Sequence, residues 1–114
     1  DRPMNHPIHA PLIVREADAA EKIARWVAGW ALACDSRHRR LAAALLGTAE
    51  DMLAAILRSA NHPDEASACR GEARDLAVSM RGLLLSAVRR QLVAAAPCAQ
   101  ALGVLALLTQ DLTS

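Results

Sequence analysis

Apolar residues recur every three or four positions through most of this chain, the spacing of helices that bury one face. The pattern is fullest from Leu41 to Ala60, at positions 41, 45, 48/49, 52, 55/56 and 59/60. A second line, Leu46, Ala49, Leu53 and Leu57, runs beside it, and two adjacent lines require at least two neighbouring helices. Three other stretches supply them. Ile13, Ala17, Ala20, Ile23/Ala24, Val27 and Ala31 predict a helix over about 12–33. Ala66, Cys69, Ala73, Leu76, Met80, Leu83/Leu84 and Ala87 predict one from Pro63 to Arg89 or Arg90. Ala101, Leu105, Leu108 and Leu112 predict a last one from Ala96-Pro97 to Thr113. Asp35 and Ser36 offer an N-cap for the second helix, Asn61-His62-Pro63 breaks it, and Gln91 to Ala96 reads as a connection. Short connections place consecutive helices antiparallel. The expected fold is therefore all-α, an up-down antiparallel four-helix bundle over 12–114. An extended, flexible arm over 1–11, with three prolines in DRPMNHPIHAP, precedes it.

Composition sharpens this picture. The 114 residues fit one domain, and a 54% hydrophobic content argues against disorder. The apolar residues are chiefly Ala and Leu, with no Phe or Tyr, so each core layer is small. Association with other chains is then expected to add stability, and a homo-oligomer is predicted. All five glycines, at 29, 47, 71, 82 and 103, fall inside helical patterns, where each costs about 1 kcal/mol relative to Ala. Close helix approach or an interface is the expected return.

The net charge of +1 is not that of a free-standing nucleic-acid binder, so the distribution of charge matters more than its sum. Twelve of the thirteen basic residues are Arg, which suits bidentate contacts to phosphate or carboxylate, although a GC-rich genome produces the same bias. Arg37, His38, Arg39 and Arg40 form the densest cluster, at a helix start where cations oppose the dipole and need an offset. Solvation is one offset; contact with a polyanion or an acidic protein surface is the other. Arg70, Arg74 and Arg81 follow helical spacing along a flank, with Glu72 and Asp75 nearby. Arg89 and Arg90 sit at a helix end that favours them. Trp26 and Trp30, four apart, either cover the bundle edge or anchor an oligomer or partner interface.

Several function classes drop away. The uncharged stretch between Arg90 and Asp111 holds a helix of only about 17 residues, roughly 25 Å, interrupted by Gln100, Gly103, Thr109 and Gln110, and so reads as buried rather than membrane-spanning. Cys34, Cys69 and Cys98 form no CxxC pair and fit a reducing cytoplasm; no secretory signal is visible. His6 and His9 lack helical geometry and a third ligand, so no metal is expected. No GxGxxG, GxxxxGK, GxSxG or HExxH motif occurs, and Glu50 and Asp51 point about 100° apart on a helix. No catalytic residue, no cofactor and no enzyme activity are expected.

The order of helices and breaks carries a resemblance. Leu12-Ile13-Val14-Arg15 opens the first helix. Leu45-Leu46-Gly47, Met52-Leu53, Ile56 and Ala60-Asn61 mark the second, Leu76 and Met80-Arg81 the third, and Pro97 with Leu105 and Leu108 the fourth. In these positions the chain, over about 11–114, resembles the Avd-like four-helix bundle family, the accessory variability determinants of diversity-generating retroelements. The resemblance implies a pentameric barrel with a positively charged surface. It also implies a non-catalytic protein that binds a reverse transcriptase and its template RNA, or RNA/DNA, and supports mutagenic, adenine-directed cDNA synthesis. Arg81 matches an arginine of the third-helix pattern, and Arg37, Arg39 and Arg40 match the basic start of helix two. Arg74, Arg89 and Arg90 join the candidate partner-binding set from charge placement alone. The chain departs from the family in its near-neutral charge and in ending soon after helix four, where relatives often continue through Gly-Trp and a basic tail. The alternative expectation is a self-associating helical-bundle scaffold with no nucleic-acid role; a related bundle family is encoded inside ribosomal RNA intervening sequences.

Overall fold

The computed structural model describes residues 10–33 and 35–113. It contains four α-helices: α1 (Ala10–Ala33), α2 (Arg39–Asn61), α3 (Ala66–Arg89) and α4 (Ala95–Thr113), with no strand among the described residues. Single 3-10 turns, Ser36–His38 and Pro63–Glu65, lead into α2 and α3. The arm expected over 1–11 lies outside the described residues up to position 9. Ala10 and Pro11 already belong to α1, whose first turn needs no proline N–H.

Consecutive helices pack against one another, and α1 closes the ring against α4. The pairs run antiparallel. Arg15 near the start of α1 meets Asp111 near the end of α4, Arg58 late in α2 meets Glu72 early in α3, and Trp30 late in α1 meets Leu92 just after α3. This is the expected up-down bundle, with α2 touching both α1 and α3.

The core follows the apolar lines. Ile23, Leu45, Met52, Ile56, Met80, Leu84, Leu105 and Leu108 are fully buried, and Ala20, Ala49, Ala73 and Ala77 fill the layers between them. Burying each large side chain is worth roughly 1.5–3 kcal/mol. Of the second line of α2, Ala49 is fully buried and Leu46 and Leu53 pack against the core, whereas Leu57 stays exposed. The glycines do not serve close helix approach. A Cβ at any of the five would meet no atom within 4 Å, so no neighbouring helix demands the missing side chain.

The α3–α4 connection is tightly made. The Arg90 and Gln91 amides donate to the Ser86 and Val88 carbonyls, and the Leu92 amide reaches back to Ala87. That pattern requires a left-handed residue just past the helix, and Gln91 supplies it with φ 60°.

Candidate functional site

The two ends of the bundle carry different chemistry. At the end that holds the start of α1 and the end of α4, Glu16 is completely buried and is gripped by Arg70 through two 2.8 Å hydrogen bonds. The Arg70 guanidinium also donates to the Asp111 backbone carbonyl at 2.9 Å. The Asp111 carboxylate takes two more from Arg15, at 3.0 and 3.1 Å. The hydrogen bonds to Glu16, partly opposed by burial, raise the Arg70 pKa above the usual guanidinium range, so this charge is permanent. Arg70 thereby joins α3 to α1 across the diagonal of the bundle, where no two helices pack backbone to backbone.

This network corrects one sequence expectation: Arg70 does not share the exposed flank of Arg74 and Arg81 but turns inward onto the buried Glu16. The signal was present. Glu16 falls on the same line as Ala20, Ile23 and Val27, and Arg70 on the line of Ala73, Ala77, Met80 and Leu84. Two opposite charges on two core lines are a buried pair.

The other end brings together the start of α2 and the end of α3, and with them Arg37, Arg39, Arg40, Arg89 and Arg90. Within residues 30–43 and 83–100, Asp35 is the one carboxylate against these five arginines. Asp35 accepts from the Arg37 amide at 3.1 Å and from its guanidinium at 3.3 and 3.1 Å. The amide bond first, and then the guanidinium, hold its carboxyl below the usual range. Asp35 thus supplies the offset that the basic helix start needs, and Arg37 is half spent on it. Arg39, Arg40, Arg89 and Arg90 are exposed and form no ion pair among the described residues. Leu32, 90% exposed, lies at the same end.

The remaining predicted residues stand apart. Arg74 and Arg81 lie along the outer side of α3 rather than at this end; Arg74 comes within 4.0 Å of Asp75. Trp26 and Trp30 are half-buried against the core. Trp30 donates its indole N–H to the Leu92 carbonyl at 3.2 Å, which ties the α3–α4 connection to α1. Trp26 lines an open groove between α1 and α4 with Ile23, Pro97 and Val104, and the groove continues past Lys22 to Val14 and Leu107.

Cys69 and Cys98 are buried free thiols, and burial pushes the Cys98 pKa up. Cys34, His6 and His9 lie outside the described residues. Among the described residues no three His, Cys, Asp or Glu side chains form a metal-sized group, and no helix is long and apolar enough to cross a membrane.

Comparison with protein-family models, curated proteins and solved structures finds no match to this chain.

Proposed function

We propose that this protein is a non-catalytic accessory subunit of a diversity-generating retroelement, binding template RNA and the reverse transcriptase that copies it. The observation that supports this reading is the arginine-rich end. Four guanidinium groups without a counter-ion among the described residues share one end of a nearly neutral molecule. A local field of this kind attracts a polyanion that the net charge alone would not, and arginine engages phosphate in bidentate fashion. Unpaired thiols at Cys69 and Cys98 are consistent with a reducing cytoplasm.

The test is anisotropy of a labelled mixed-sequence RNA titrated with the protein at several salt concentrations. Neutralising about four phosphates predicts a log–log salt slope near −3 for single strands. Arg39→Glu with Arg40→Glu is expected to keep the helical circular dichroism and weaken binding at least about tenfold. Unchanged affinity removes this end from the interface.

A second reading, a self-associating scaffold, is favoured by a different observation. α4 carries no acidic or basic side chain before Asp111 in its last turn, and Leu107 on its outer face is 66% exposed beside the α1–α4 groove. A homo-oligomer, a pentamer by family likeness, fits both readings, and light scattering that gives only a 12.1 kDa particle counts against it. A scaffold assembles and ignores RNA; an accessory subunit does both.

A further inference from the structure

We infer that the outer side of α3 is a docking seam for an acidic amphipathic helix of another protein. Arg74, Val78, Arg81, Leu85 and Arg89 follow one another at intervals of four, three, four and four residues, and all five are exposed. That spacing sets them on one line of the helix, rising about 22 Å. Val78 is 59% exposed and Leu85 39%, and they are the exposed large aliphatics of α3.

The line therefore alternates cation and hydrophobe, with each aliphatic between two arginines. Arg81 and Arg89 have no carboxylate partner among the described residues, and Arg74 has only Asp75 at 4.0 Å. The adjoining helix α4 offers no counter-charge, since nothing between Arg90 and Asp111 is ionisable apart from Cys98. A helix with leucine-like residues on one line and carboxylates flanking it would cover Val78 and Leu85 while meeting the three arginines at seven- and eight-residue steps.

RNA suits this line less well than it suits the arginine-rich end, because Val78 and Leu85 gain nothing from a phosphate backbone. A second copy of the chain lacks the matching face. Its carboxylates seven or eight apart are Glu65 and Asp64, each with Glu72; Asp64 and Glu65 lie in a 3-10 turn and Glu72 is held by Arg58. The seam shares only Arg89 with the arginine-rich end, so the inference stands whether or not that end takes up RNA.

The probe is a labelled three-heptad peptide with Leu at the a and d positions and Glu at e and g. The full chain is expected to bind it, with amide chemical-shift changes along 74–89. Replacing its Glu by Lys, or its Leu by Ser, is expected to weaken binding at least about tenfold. Arg81→Glu, and separately Val78→Ser with Leu85→Ser, should do the same with helical circular dichroism preserved. Arg39→Glu with Arg40→Glu should leave peptide affinity unchanged. Equal binding of an oligoglutamate of the same charge would overturn the inference, as would shift changes centred elsewhere. So would sedimentation showing that Arg81→Glu breaks up a homo-oligomer, which would make the seam a contact between copies.

Discussion

Gln91 holds a left-handed conformation with a side chain that disfavours it. Such a residue costs roughly 1 kcal/mol where glycine costs almost nothing, and the cap it closes is fixed by three backbone hydrogen bonds. Gln91→Gly is therefore expected to stabilise the fold by about 1 kcal/mol, raising the melting temperature by about 4 °C in calorimetry. A fall in melting temperature would mean that the Gln91 side chain contributes more than its backbone costs. The sequence marks Gln91 as the start of a connection but not its left-handed conformation, because the usual flag for such a cap is a glycine and none is present. Asp35 acts at the same scale with the opposite legibility. Asp35-Ser36 reads as an N-cap of α2, whereas Asp35 caps the 3-10 turn Ser36–His38 that leads into it and α2 itself follows His38 without a side-chain cap; the lowered Asp35 pKa gives a definite sign with pH. The ionised form is favoured in the folded chain, so its contribution is complete above the ordinary carboxylate range and is lost as pH falls through the lowered value. The stability difference between the native chain and Asp35→Ala, measured by urea unfolding, should shrink on going from neutral pH into strong acid. A difference that stays constant would remove the charge from the cap.

Helices are where the sequence spoke most clearly, because a three-and-four apolar rhythm has few other outcomes once Ala and Leu dominate. The breaks at Asp35, Pro63 and Gln91 fell within a few residues of the observed ends. Side-chain partnerships were harder. The position of an arginine along its own helix says which way it points, but not what the facing helix offers. Arg70 and Arg74 share a helix, yet Arg70, on the core line, is half-buried against Glu16 while Arg74 faces solvent, and nothing along α3 names Glu16 as the partner. The pair gives a sharp expectation. Arg70→Met alone leaves Glu16 uncompensated in the core and should cost about 3–5 kcal/mol, whereas Arg70→Met combined with Glu16→Leu should come within about 1 kcal/mol of the native chain. Chemical denaturation of the two single variants and the double variant measures this directly. A double variant as unstable as the singles would show that Asp111, whose carbonyl also depends on Arg70, is the more important partner.

At the scale of the whole molecule the four helices are not held equally. The α1–α2 and α2–α3 seams pack more extensively than the two seams of α4, and the groove along Trp26, Val104 and Leu107 leaves one side of α4 open. Two fastenings compensate: Trp30 on the Leu92 carbonyl just ahead of α4, and Arg70 with Arg15 on Asp111 near its end. A helix held by its ends over a thinly packed middle opens before the rest. Native-state hydrogen exchange should therefore show amides of α4 exchanging through a partial opening of lower free energy than those of α2 and α3, which should share the global value. Arg70→Met removes the distal fastening, so it should speed exchange in α4 by a larger factor than in α2. Identical protection in all four helices, before and after the substitution, would mean that the bundle opens only as one unit. In that case the groove beside α4 would be a fixed feature of the surface, not the mark of a helix poised to separate.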